Sequence, residues 1–294
     1  MSEPKIELHQ IRDFGAKINV TIEYIRQNFA PLMKLVLLVA VPLSLLFGIL
    51  LSDLFGSMIS MSQNPDMDDV EALGFLGKIG TSYLAMVVLS MVTYAFMLSG
   101  IYGYMKLNQQ QEVRPTPSDV IGAVLGKIPG VLGLMLLISV VTVLGFFLFI
   151  IPGIYLMVTL SLAIPIYLFE DQGIGEAFGR SFRLIREKWW STFGLLFVAS
   201  MIAGMASYVF AIPMYVFMFG GMFSAIEEGN NDPEAIFSIF SSWYTTASMA
   251  FMMVGSYLTY TVPIIALSFQ YFNLSERVEG RGIRNQIQDF EALS

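Results

Sequence analysis

The chain has 294 residues, 55% of them hydrophobic and only 13% charged, with a mean hydropathy of +0.67 and a net charge of −7. A soluble domain carries roughly 25% charged residues, so this chain has about half the usual supply of water-facing surface; an ordinary cytosolic enzyme and a disordered chain are both excluded. There is no cysteine and a single histidine, His9, which removes disulfides, thiolate chemistry and most histidine-based catalysis or metal binding.

The first 30 residues are polar, with no short apolar core ending in a small-residue cleavage site, so no cleaved signal peptide is expected. Within 8–29, Ile11, Phe14, Ile18, Ile22, Ile25 and Phe29 recur three or four apart and predict an amphipathic helix, with Arg12, Asn19, Glu23, Arg26 and Gln27 opposite. A membrane span takes about 20 apolar residues, and 32–53 and 82–105 meet that requirement. A second amphipathic segment, 116–128, opens with Thr116 as N-cap and Pro117 at the first helical position. The uncharged stretch from Lys127 to Glu170 would be about twice the hydrocarbon thickness as one helix. It is therefore expected to double back as spans 130–150 and 153–169, turning at Ile151-Pro152-Gly153. The third amphipathic segment, 174–189, lines Ile174, Phe178, Phe182, Ile185 and Trp189 on one face. Its other face holds Glu176, Arg180, Arg183 and Glu187, which the i,i+4 rule pairs as Glu176–Arg180 and Arg183–Glu187. Spans 191–219 and 247–272 follow, with a short helix over 233–243 between them and a cytoplasmic tail, 273–294, at the end.

Fold class follows as an all-α integral membrane protein: six transmembrane helices in three hairpins, each preceded by a cytoplasmic amphipathic helix, in one polytopic domain. An inside N-terminus puts 15 of the 16 Lys and Arg residues on the cytoplasmic side, leaving only Lys78 outside. That is the bias expected for short cytoplasmic loops, and it places both termini in the cytoplasm. The long outer loops hold nine acids, among them Asp66, Asp68, Asp69, Glu71, Glu227, Glu228, Asp232 and Glu234; against one lysine they carry −8. Entry and exit residues of the three hairpins agree in type, which predicts a threefold repeat.

Little in the sequence carries chemistry. Between the span limits no ionisable residue appears beyond Lys34 and Asp53 at the edges, so proton relays and carboxylate-coupled transport lose their usual parts. Gly173 to Gly179 has GxGxxxG spacing without the strand or lysine of a nucleotide loop. The acidic loop around Asp66 lacks the glycine and spacing of a calcium loop. No catalytic, cofactor-binding or metal-binding residue is expected, and nucleic acid is not an expected partner. Arg186 and Lys188 flank the apolar stripe of 174–189, where long side chains reach phosphates; with Trp189 and Trp190 they form the candidate lipid-headgroup site. Ala199, Ala203, Gly204 and Ser207 form the candidate helix-packing face, their small side chains permitting close backbone approach.

Pro152-Gly153-Ile154-Tyr155-Leu156, Pro165, Glu170, Glu176-Ala177-Phe178, Arg180-Ser181-Phe182, Leu184 and Trp189-Trp190 resemble a pattern in one bacterial family: the membrane domain attached to some glycerophosphoryl diester phosphodiesterases, with related stand-alone six-span proteins. The match is most specific over 150–195. The resemblance implies an all-helical inner-membrane fold with amphipathic connectors; the phosphodiesterase activity resides in a separate soluble barrel for which this chain has no room. The function expected is that of a non-enzymatic inner-membrane protein organising lipids or a membrane or cytoplasmic partner protein. The alternative is a transporter or permease for an apolar or amphiphilic substrate.

Overall fold

The computed structural model describes residues 5–62, 68–111, 113–227 and 242–280. Six helical stretches are long and apolar enough to cross a membrane: Phe29–Met58, Asp69–Gln110, Pro117–Leu148, Ile150–Glu170, Trp189–Ser224 and Trp243–Glu279. Among the described residues there is no strand. The short helix expected over 233–243 falls, but for its last two residues, outside the described residues.

Helix α1 is Phe14–Gln27, started by Asp13, whose side chain accepts the Ala16 N–H at 2.7 Å. Asn28 ends α1 and opens α2 (Phe29–Ser62): its N–H donates to Tyr24 O, and its own carbonyl accepts the Leu32 N–H. After α3 (Asp69–Gln110), α4 (Pro117–Val124) begins as the sequence predicts, with Thr116 as N-cap and Asp119 completing a capping box. One 3₁₀ turn leads into α5 (Ile128–Leu148).

The next turn is displaced from its expected place. It lies at Phe149, the one extended residue between α5 and α6 (Ile150–Leu160), and Pro152 sits in the first turn of α6. A helix tolerates proline there because the missing N–H would have no intrahelical partner. The glycines of this region serve packing: a Cβ on Gly153 would meet the Phe146 ring at 2.4 Å, and one on Gly145 would meet the Gly153 Cα at 3.1 Å. The run expected as one span over 153–169 is also divided, into α6 and α7 (Ala163–Glu170). Pro165 cannot donate to the carbonyl four residues back, at Ser161, and the break falls there. Helices α8 (Ile174–Ile185), α9 (Trp189–Glu227) and α10 (Trp243–Glu279) complete the chain. By contrast, Pro42, Pro213 and Pro263 lie inside unbroken helices.

Two compact units form. The described parts of the first are 5–36, 95–203 and 260–280; the second is drawn from 37–94 and 204–259. The first is built around fully buried Tyr24, Tyr102, Tyr104, Phe269 and Tyr271. Phe169 stacks on Tyr271 at a centroid distance of 5.4 Å and leans on Phe272 at 4.7 Å. The second unit buries smaller groups: Ala40, Ser44, Thr93, Ala211, Thr245 and Ala250.

Candidate functional site

Helix α1 has three faces rather than two. At about 100° per residue, Lys17, Thr21, Tyr24 and Asn28 fall in one narrow sector, and all four are buried. Ile18, Ile22, Ile25 and Phe29 form a second sector roughly a quarter turn away, where Ile22 is 51% and Phe29 54% exposed. Asn19, Glu23 and Arg26 form the third. The polar sector is the one that packs against protein. Tyr104 Oη donates to Asn28 Oδ1 at 2.9 Å, Thr21 Oγ1 to Lys17 O at 2.7 Å, and Lys17 Nζ to Gln270 Oε1 at 2.6 Å and Ser191 Oγ at 3.1 Å. Gln270 passes the chain on to Thr192 Oγ1 at 2.8 Å. A polar stripe turned inward and an apolar stripe turned outward reverse the arrangement of a helix on a soluble protein.

The charged face of α8 is likewise arranged against expectation. Arg180 does not pair with Glu176; its Nε lies 2.6 Å from Glu170 Oε2, and its far nitrogen bonds Glu279 of α10. Glu170 is only 3% exposed at its side chain and also accepts the Tyr271 hydroxyl at 2.7 Å. Glu176 instead accepts the Gly173 N–H at 3.1 Å, capping its own helix. The i,i+4 rule loses here because a nearly buried carboxylate has far more to gain from the guanidinium than an exposed one. Burial opposes the charge on Arg180, but its bonds to Glu279 and Glu170 outweigh that and hold its pKa above the ordinary value. Next to this cluster Asp171 closes α7 in the left-handed region (φ 54°), and its carboxylate bridges Lys106, at 2.6 Å, and Lys127. Burial opposes its charge too, and the two lysines together still keep its carboxyl below the usual range.

At the junction of α8 and α9 lies an open, mostly apolar groove of about 480 Å³. Trp189 lines it and is held on both sides: its Nε1 donates to Tyr155 O at 3.2 Å, and its ring stacks on Tyr155 at 5.9 Å and on Phe193 at 5.4 Å. Ile151, Ile154, Arg186, Glu187 and Trp190 line the groove as well. The structure thus brings together three of the four candidate headgroup residues, Arg186, Trp189 and Trp190. The fourth, Lys188, points into a different cavity with Lys17 and Arg277. Of the candidate packing residues, Ala199 is buried with Leu195 and Ala266, and Ala203 is buried too. Gly204 does not share a close contact, since a Cβ there would meet nothing within 4 Å. Ser207 is half-buried and donates to Gly204 O at 2.7 Å.

Lys17, Gln270 and Glu279 escape the sequence reading, as does the pairing of Glu170 with Arg180. Lys17, Thr21, Tyr24 and Asn28 did leave a signal, a polar stripe at helical spacing beside the apolar one; Gln270 and Glu279 are separated from their partners by more than 75 residues and left none. No family model, curated protein or solved structure matches the chain.

Proposed function

We propose that this chain is a non-enzymatic inner-membrane protein, with both termini in the cytoplasm, that engages lipids of the cytoplasmic leaflet through α1, α8 and the groove at Trp189. The observation that carries this is the reversed burial of the first unit. Lys17, Asn28, Glu170 and Gln270 point inward to polar partners, while Ile22, Phe29 and Trp190 and the run from Phe147 (90% exposed) to Ile151 (80%) point outward. In water such a surface would be a liability; against acyl chains the same side chains are in their preferred solvent, and the aromatic rings of Trp189 and Trp190 suit the headgroup boundary. Exposed Arg186, which lines the groove, suits a lipid phosphate. Membership of the membrane-domain family that the chain resembles belongs to the same proposal. Two residues carrying that resemblance, Glu170 and Arg180, are ion-pair partners, which gives their spacing a physical reason.

The test is quenching of tryptophan fluorescence by lipids brominated near the headgroup end of the acyl chain. With Trp243→Phe removing the third tryptophan, Trp190 should be strongly quenched and W190F should lose most of the quenchable signal. Fluorescence indifferent to the brominated lipid would refute lipid contact at the groove.

A further inference from the structure

The start of α1, the start of α9 and the end of α10 enclose a small polar cavity of about 140 Å³. Four cationic side chains line it, Arg12, Lys17, Lys188 and Arg277, against one acid, Asp13. Asp13 is already engaged as the N-cap of α1. The hydrogen bonds of the cations go to neutral groups: Lys17 to Gln270 and Ser191, Arg277 Nε to Asn273 Oδ1 at 2.8 Å, and Arg12 to the carbonyls of Glu7 and Leu8. Lys17 is only 3% exposed. Lys188 and Arg277 are exposed, so the like charges repel most strongly at buried Lys17. Burial first, and then Arg277 and Lys188 against the opposing effect of Asp13, bring Lys17 down to about 8. Among the described residues that line it, positive charge therefore outnumbers negative four to one, with Glu7 acting on Arg12 from outside the lining.

We propose that this cavity binds a phosphate group, carried either by a membrane lipid headgroup or by free phosphate. The space equals about four or five water volumes, room for one tetrahedral anion whose oxygens meet several cations at once. The lipid source deepens the lipid-contact proposal and rests on it; the free source does not. The full chain, stripped of lipid in detergent, is titrated with inorganic phosphate against chloride at equal ionic strength while thermal unfolding is followed. The same protein is then compared in discs of phosphatidylcholine with and without phosphatidic acid. Stabilisation by inorganic phosphate identifies the free source, and stabilisation by phosphatidic acid alone identifies the lipid source. In either case K17Q/R277Q should bind at least about tenfold more weakly. Lys188→Gln, at an exposed position outside the packed core, should weaken binding measurably and decides the matter if the double variant does not fold. Absence of stabilisation in both arms, or undiminished binding by K188Q, overturns the proposal. Brominated-lipid quenching of Trp190 is read in parallel: quenching without any anion effect refutes the cavity alone, whereas its loss refutes the lipid contact.

A different observation carries a second inference. Helix α8 bears exposed charges along its length, Glu176, Arg183, Arg186 and Glu187 following at its end, so it cannot run through hydrocarbon. Ile174 at its start lies against α5, its Cδ1 3.4 Å from where a Gly133 Cβ would stand. Just past its other end, Trp189 packs on Tyr155 of α6. Since Gly145 meets Gly153, Tyr155 is level with about residue 143 of α5, and α8 follows the hairpin for about 15 Å. The tip of the hairpin, Ile151, lines the same groove as Arg186 and Glu187. A hairpin crossing the bilayer would hold that tip roughly 30 Å from those charges. We infer that α5 and α6 enter the membrane from the side of α8 and return to it, their apolar tip embedded in that leaflet, leaving α2, α3, α9 and α10 to cross. The charge bias is the same for either topology because the turn contains no charged residue. The absence of native cysteine allows a fluorophore at F149C to be compared with one at W190C in vesicles carrying quencher lipid in one leaflet only. Both should be quenched from the same leaflet. Quenching of F149C from the opposite leaflet, or equally from both, overturns the inference.

Discussion

The two compact units bury different chemistry. The first encloses an ion-pair cluster, a lysine, three asparagines and a glutamine among large aromatic rings. The second encloses alanines, methionines and hydroxyls, and those hydroxyls turn mostly onto their own helices, as Ser248 does to Tyr244 O and Thr93 to Leu89 O. Hydroxyls satisfied within a helix exert little pull on a neighbour, so the second unit is held chiefly by shape. Bonds such as Lys17–Gln270 and Arg180–Glu279 join residues more than 95 positions apart and fix side-chain positions in the first. Polar bonds between distant segments therefore distinguish the first unit, and close apolar packing the second.

Breaking the ion-pair cluster should have the largest effect. Arg180→Met leaves Glu170, almost wholly buried, beside Glu279 without its counter-charge, and removing one partner of a buried pair costs about 3 kcal/mol or more. A large fall in the unfolding temperature in detergent is expected. A substitution of equal size on the water side of the same helix, Arg183→Met, should change it little. Equal behaviour of the two variants would show that the cluster does not hold the first unit.

Shape alone can be tested in the second unit with two glycines. A Cβ on Gly255 would fall 2.0 Å from Phe210 Cγ, while one on Gly204 meets nothing. Gly255→Leu should therefore destabilise by about 1–3 kcal/mol, the usual cost of overpacking, whereas Gly204→Leu should be tolerated. The reverse order would place the close helix contact at Gly204, as the sequence pattern alone suggests.

A smaller effect should appear in the pH dependence. Lys17 sits near 8 in the folded chain against an ordinary lysine value of 10.5. Below pH 8 it is charged in both states and the cost of burying that charge is fully present. Between about 8 and 10.5 the unfolded chain holds a proton that the folded chain has released, so this group makes stability rise with pH across that window. Lys17→Gln should lose that rise, and bound phosphate should reduce it by favouring the charged lysine. Parallel curves for wild type and variant between pH 7.5 and 9.5 would contradict the assignment.

The sequence made the apolar helices plain, because hydrocarbon imposes a length and composition that a run such as 191–219 cannot disguise. Helix starts set by local chemistry were equally visible at Thr116 and Pro117. What stayed hidden was choice between partners. Arg180 has an acid at i−4 and two better ones, at Glu170 and Glu279, that only folding brings near. Pro152 and Gly153 carry a turn signal, yet the first is suited to an opening helical turn and the second to close packing, and the chain turns three residues earlier. The inward face of α1 was obscured for another reason: in a membrane protein the apolar stripe does not identify the side that meets the core.

The central claim, that the first unit turns its apolar face to lipid and its polar groups to itself, is tested most directly on α1. Nitroxide labels at I22C and N19C, one on each outer sector of the helix, are compared in reconstituted vesicles for collision with oxygen, which concentrates in hydrocarbon, and with a water-soluble nickel chelate. The label at residue 22 should be accessible to oxygen and shielded from nickel, and the label at 19 should show the opposite. Equal nickel accessibility at both positions would mean that α1 stands in water and would contradict the account.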